Sequence, residues 1–154
     1  QVPVRETKRI AIAYVSAYGY TRMLAQAIAQ GAGSEGCEVQ LFDLVTDDKA
    51  AAAVAVEDAD GFLLGSPTLV GDALPPVYEM FLGLNPIIHK GKPAGAFGSY
   101  GWSGEAVPNL TARMQQLRLS LPLEGMRVRF CPTQEDLAAA VQFGRDFAKA
   151  VRGE

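Results

Sequence analysis

The chain has 154 residues, 49% hydrophobic and 20% charged, with a formal net charge of −3, the balance of one folded domain with a core of its own. The acidic surplus argues against a nucleic-acid partner, which rewards basic faces, and no apolar run approaches the roughly 18 residues that cross a bilayer. Cys37 and Cys131 form no CxxC pair, so the expectation is buried, reduced thiols in a cytoplasmic protein.

The opening QVPVRETK has neither a methionine nor a signal-peptide pattern. It reads as a linker or boundary over residues 1–8, ahead of one domain over 9–151 and a tail at 152–154, as in a piece of a longer protein. The first strand, RIAIAYV, is expected near 9–15 and is followed by a helix near 21–33. A second strand near 38–43 precedes a helix near 47–57, and a third near 60–65 precedes a helix near 74–84. The fourth strand, near 93–98, leads to a helix near 105–118. The fifth, near 126–131, leads to a final helix near 134–151. Strict alternation with short connections predicts a parallel sheet covered by helices.

The strand compositions predict an order. IAIAYV, GFLLG and AGAF are continuously apolar, as in strands covered on both faces, whereas EVQLF and MRVRF alternate as edge strands do. The order 2-1-3-4-5 satisfies both, giving a flavodoxin-like α/β fold, a three-layer αβα sandwich. The right-handed crossover rule then puts the first and last helices on one face. In the final helix, Thr133 is the expected N-cap, with Glu135 and Asp136 in the first turn. Leu137, Val141, Gly144, Ala148 and Val151 form its core stripe.

Three loops at the carboxyl edge are rich in hydroxyls or glycine: SAYGYT, SPTLVGD and SYGWSG. Topology brings them to the crevice where the winding direction reverses. SAYGYT leads into a helix N-terminus, which carries about half a positive charge. Ser16 and Thr21 add hydroxyls, and Gly19 permits close backbone approach, so the loop reads as a phosphate cradle of neutral donors. A helix cap at Thr21 with a serviceable turn accounts for that loop taken alone. Tyr100 and Trp102 offer flat faces to a planar ring, and amides around Ser66, Thr68, Gly101 and Gly104 can meet ring nitrogens and carbonyls. Phosphate cradle and aromatic wall together describe a mononucleotide with a planar head, and FMN occupies the switch point of this strand order.

SAYGYT, GSPT followed by DALPP, and FGSYGWSGEAV together resemble the flavodoxin-like domain of flavodiiron proteins, the A-type flavoproteins, over about residues 8–150. GKPAGAFGSYGWSGEAV is similar above all to the cyanobacterial and plastid diflavin branch. The resemblance implies FMN phosphate on Ser16, Tyr18, Gly19, Tyr20 and Thr21. It implies the ribityl chain and isoalloxazine between Ser66, Pro67, Thr68 and Leu69 on one side and Ser99, Tyr100, Gly101, Trp102 and Gly104 on the other. It further implies a preceding metallo-β-lactamase-like domain with a diiron centre that reduces oxygen or nitric oxide. A head-to-tail homodimer and, in the cyanobacterial branch, a flavin reductase domain fed by NAD(P)H complete the family pattern. The chain would then be the electron-transfer part of an oxidoreductase, with no catalytic residue or metal ligand of its own. Two departures stand out: Leu69, Val70 and Gly71 follow SPT where many relatives have an asparagine, and His89 is the only histidine, so no His-rich diiron site lies in this chain.

Other features read as structural. GAGSEG at 31–36 has GxGxxG spacing but ends a helix and precedes a strand, the reverse of the dinucleotide context; it is expected to be a helix C-cap. Asp58 and Asp60 decorate a turn at the opposite edge, Asp72 caps the helix that starts in DALPP, and His89 is a surface loop residue. A response-regulator receiver would need acidic residues where Val15-Ser16 and Gly65-Ser66 stand. A free-standing flavodoxin, a flavin-dependent quinone reductase, or a flavodoxin-like docking module without FMN remain as alternatives.

Overall fold

The computed structural model describes residues 7–16, 19–68, 72–101 and 104–153. Five parallel strands, β1 (Arg9–Tyr14), β2 (Glu38–Asp43), β3 (Gly61–Gly65), β4 (Ala94–Tyr100) and β5 (Met126–Arg129), form one sheet in the order β2-β1-β3-β4-β5. The helices are α1 (Tyr20–Ser34), α2 (Lys49–Asp58), α3 (Pro75–Glu79), α4 (Pro86–His89), α5 (Ala106–Gln116) and α6 (Gln134–Val151). The expected order and the edge positions of β2 and β5 are both present.

Alternation along the strands builds two cores. Ile10, Ile12 and Tyr14 of β1 face α1 and α6, together with Leu63 and Phe97. Ala11 and Ala13 face the other layer with Phe62, Leu64 and Ala96, where α2, α3 and α5 cover the sheet. Glycines flank Leu63 because their neighbours occupy the space. A Cβ on Gly61 would lie 2.6 Å from Val151 Cγ2, and one on Gly65 would lie 2.3 Å from the Phe97 ring.

The first and last helices share a face as expected, and two glycines let them touch. A Cβ on Gly31 would lie 1.9 Å from the Val141 carbonyl oxygen, and one on Gly144 would lie 2.0 Å from that of Ile28. Gly31, inside GAGSEG, therefore serves helix packing, and Gly36 (φ 87°) ends α1 in the left-handed region. The α6 capping box is complete: Thr133 Oγ1 accepts from Asp136 N at 3.1 Å, and Asp136 Oδ2 accepts from Thr133 N at 2.9 Å. Gly144, Ala148 and Val151 of the predicted stripe are buried beside Ala140 and Phe147, while Leu137 and Val141 are only half-buried.

The structure corrects the segment after β3. The single helix expected near 74–84 ends at Glu79 and gives way to turns. A separate short helix, α4, begins at Pro86, where Asn85 Oδ1 accepts from Ile87 N at 2.8 Å. A proline cannot continue an existing helix but can start one. His89 ends α4 and is buried, not a surface loop residue. Its Nδ1 accepts from Asn85 N at 3.0 Å, and burial, followed by the charge of Lys92, lowers its pKa. Lys92 is itself buried, and its ammonium donates to the carbonyls of Val56 and Glu57 at the end of α2. Both cysteines are free thiols, but only Cys37 is buried; Cys131 is exposed beyond the edge strand β5.

Candidate functional site

The sheet delivers the three polar loops to one edge, and hydrogen bonds tie them together there. Val15 N donates to Gly65 O at 3.0 Å, joining the exits of β1 and β3. Ser66 N donates to Phe97 O at 3.2 Å and Thr68 N to Ser99 O at 3.1 Å, carrying the β3–β4 ladder past the end of β3. At this floor the backbones come so close that a Cβ on Gly98 would lie 2.1 Å from the Ser66 carbonyl oxygen.

The first loop enters α1 through Gly19, whose φ of 84° belongs to the left-handed region that glycine adopts without strain. No side chain of this N-cap residue competes for the first-turn amides, and the first turn holds no acidic residue. Ser16 Oγ accepts from Arg22 N at 3.3 Å. Among the described residues, a Cβ on Gly19 would meet nothing within 4 Å. Tyr20 opens α1 half-buried, and Tyr18 lies outside the described residues.

Thr21 has a different position from the one its sequence context suggests. It is buried, and its hydroxyl pairs at 3.0 Å with the buried Ser99 hydroxyl on β4. The pair bolts the start of α1 to the third loop. Sequence reasoning passed over Arg22, a cation in the first turn, where the helix dipole disfavours it. Its guanidinium turns toward β2 and meets Asp43 Oδ2 at 2.8 Å. Hydrogen bonds to Asp43, then to Tyr14, raise its pKa further. The signal was the TR pair directly behind the loop.

In the second loop Ser66 and Pro67 are buried. The Ser66 hydroxyl donates to Pro67 O at 2.8 Å and accepts from Leu74 N at 2.9 Å, shaping the loop from within. Thr68 Oγ1 accepts from Ala106 N at 3.0 Å, so the second loop caps α5, which follows the third loop. Asp72 is not the cap of α3, whose N-cap is Leu74. Its Oδ1 accepts from Tyr78 Oη at 2.6 Å, Asn109 Nδ2 at 3.0 Å and Ala73 N at 2.7 Å, linking α3 to α5. The Tyr78 bond holds the Asp72 carboxyl below its ordinary pKa, while burial, more than Asp72, pushes the Tyr78 phenol up to about 12.

In the third loop, Tyr100 packs against its own Gly104: a Cβ there would lie 3.3 Å from Tyr100 Cδ1 and 3.2 Å from Arg127 Cδ. Leu69 and Trp102 lie outside the described residues. A further aromatic, Phe130, emerges just past β5 beside Gly101. Its amide donates to Tyr100 O at 2.7 Å. No motif marks it; its place behind a fifth strand ending at the same edge was the available signal. Among the described residues, no group of three or more His, Cys, Asp or Glu side chains is arranged to hold a metal ion, and no helix is long and apolar enough to cross a membrane.

The loops gather at the carboxyl edge of the sheet, where this strand order has its switch point. Comparison with known proteins places the fold in a family. The chain is 40% identical over 147 residues to the flavo-diiron protein FprA2 of Clostridium acetobutylicum, covering 94% of this chain and 37% of that protein. It is 45% identical over 147 residues to the type A flavoprotein fprA of Rhodobacter capsulatus, covering 95% and 34%. The metal-soaked Flv1 flavodiiron core of Synechocystis sp. PCC6803 superposes with a TM-score of 0.88 at 36% identity, covering 96% of this chain and 37% of that one. Diflavin flavoproteins of Thermosynechococcus and Nostoc are among the relatives too. The chain spans little more than a third of the length of the first two relatives. The sequence pattern of the flavodoxin family matches residues 12–144, nearly the whole of the sheet and its helices, and the chain belongs to that family.

Proposed function

We propose that this chain is the FMN-binding electron-transfer domain of a flavodiiron oxidoreductase, occupying about residues 9–151 between a short leading linker and a short tail. The observation that carries the reading is the N-terminus of the 15-residue α1, entered through the left-handed Gly19 with no acidic residue in its first turn, at the switch point of a flavodoxin-family sheet. An anionic phosphate suits that end of the helix on charge. Ser16, Tyr18, Gly19, Tyr20 and Thr21 hold the phosphate end. Ser66, Pro67, Thr68 and Leu69 flank the ring system from the second loop, and Ser99, Tyr100, Gly101, Trp102 and Gly104 flank it from the third. Ser66 and Ser99 act through the shape of the loops, because their hydroxyls are engaged within the protein, and Thr21, whose hydroxyl pairs with Ser99, serves the phosphate end through its backbone amide. FMN supplies the electron-transfer chemistry when bound; the protein binds it, orients it and sets its electrostatics.

The length of the relatives supports further domains in the intact protein: a metallo-β-lactamase-like diiron domain that reduces oxygen or nitric oxide, and a flavin reductase domain drawing on NAD(P)H. We place the assembly in the cytoplasm as a homodimer, with the isolated chain unable to complete the reaction alone. Titration of the purified chain with FMN, followed by flavin fluorescence and visible absorption, tests the reading. Saturable one-to-one binding is expected. Gly19→Val should weaken it about tenfold, because a side chain there makes the left-handed backbone cost ~1–2 kcal/mol, a strain the unliganded loop escapes by relaxing and binding must restore. No saturation at some tens of micromolar FMN, an affinity of only about 6 kcal/mol, would favour a docking module without flavin. Unchanged affinity in Gly19→Val would refute the cradle.

A further inference from the structure

Phe130 is hard to explain by folding alone. It belongs to neither core cluster and is 57% exposed. Its φ of 58° lies in the left-handed region, where a bulky residue is strained. Glycine or asparagine would take that backbone more readily and leave less apolar surface in water. The ring nevertheless has defined surroundings. On one side lies Gly101, where a Cβ would come within 3.4 Å of Phe130 Cε1. Above the ring is the Arg129 guanidinium carbon, 5.3 Å from its centroid, a cation–π arrangement. The Phe130 amide extends the β4–β5 pairing by one bond, to Tyr100 O. Backbone strain without a packing return concentrates at functional sites, and this residue stands against the third polar loop.

We propose that Phe130 is a positioning residue of the flavin site: its ring, held by Arg129, seats Gly101 and so sets the course of the third loop where that loop meets the ring system of the cofactor. The inference rests on the FMN reading above. It assigns work to the β5 exit, which the three-loop description of the site omits.

FMN titration and thermal unfolding of the flavin-free chain, measured on wild type, Phe130→Gly, Phe130→Asn and Phe130→Tyr, test the proposal. Glycine and asparagine accept the left-handed backbone, so both variants should unfold within about 3 °C of wild type. Their FMN dissociation constants should rise at least fivefold, and the visible circular dichroism of bound flavin should change. Phe130→Tyr keeps the ring and should bind within twofold of wild type. Wild-type affinity in Phe130→Gly and Phe130→Asn would overturn the proposal while leaving the FMN reading intact. So would a loss of affinity accompanied by a large fall in unfolding temperature, since that is the signature of a merely structural residue. Absence of saturable binding by wild type would overturn the FMN reading and this inference with it.

Discussion

Replacing Gly98 by alanine tests the floor of the site. The added Cβ would stand 2.1 Å from the Ser66 carbonyl oxygen and 3.3 Å from the Ser66 carbonyl carbon. An unstrained carbon–oxygen contact needs about 3.3 Å, so the exits of β3 and β4 must part by about 1.2 Å. The obstruction is backbone, with no flexible side chain to swing away. The bonds Ser66 N to Phe97 O and Thr68 N to Ser99 O, at 3.2 and 3.1 Å, are the ones stretched. Two weakened ladder bonds at ~1 kcal/mol each and overpacking of ~1–3 kcal/mol give a loss of about 3–5 kcal/mol. That is a large part of the ~5–15 kcal/mol by which domains are stable. For a chain of this size it lowers the unfolding temperature by roughly 6 °C or more, and the distorted loops should weaken FMN binding as well. Thermal and urea unfolding of the two flavin-free proteins measures the first effect, and titration the second. A Gly98→Ala variant that unfolds within 1 °C of wild type and binds FMN equally would refute the close approach of the two loops.

Other substitutions probe separate parts of the argument. Gly33→Ala, in α1 with nothing within 4 Å of the new Cβ, should raise stability by about 0.5–1 kcal/mol in urea unfolding; a loss there would mean that the helix end is packed. Thr21→Val keeps shape but leaves the buried Ser99 hydroxyl without its 3.0 Å partner, at a cost of about 1–3 kcal/mol. Adding Ser99→Ala should recover part of that loss, and a purely additive double mutant would show that the two hydroxyls are not coupled. Burial lowers the pKa of His89 below its usual 6.5, so the folded state prefers the neutral ring. The unfolded chain binds the proton more readily, so this contribution to stability is present above the ordinary histidine pKa. It is lost as pH falls through that value toward the lowered one. His89→Asn, which retains an acceptor for Asn85 N, should flatten the unfolding temperature between about pH 5 and 7 relative to wild type; parallel curves would acquit His89.

What the sequence determined by itself was the architecture. Continuous apolar runs in three strands and alternation in two report how many faces each strand buries, and burial on two faces against one is what orders a parallel sheet. Once that order is known, SAYGYT, SPTLVGD and SYGWSG must leave at one edge, so the location of the candidate site was legible too. The N-cap of α6 at Thr133 was legible because it is local, within three residues of the Asp136 amide it serves. Contacts between distant residues were not. Thr21 and Ser99 are 78 residues apart, and nothing near either announces that each hydroxyl serves the other. Asp72 reads as a helix cap from its neighbours, yet tertiary packing offers it Tyr78 and Asn109. The helix expected through residue 84 follows from its apolar content, and the break at Glu79 with a restart at Pro86 comes from proline chemistry and the packing beneath. Phe130 carries no motif at all. Its strain and its place against Gly101 exist only once β5 has paired with β4, because only that pairing puts a left-handed aromatic beside the third loop.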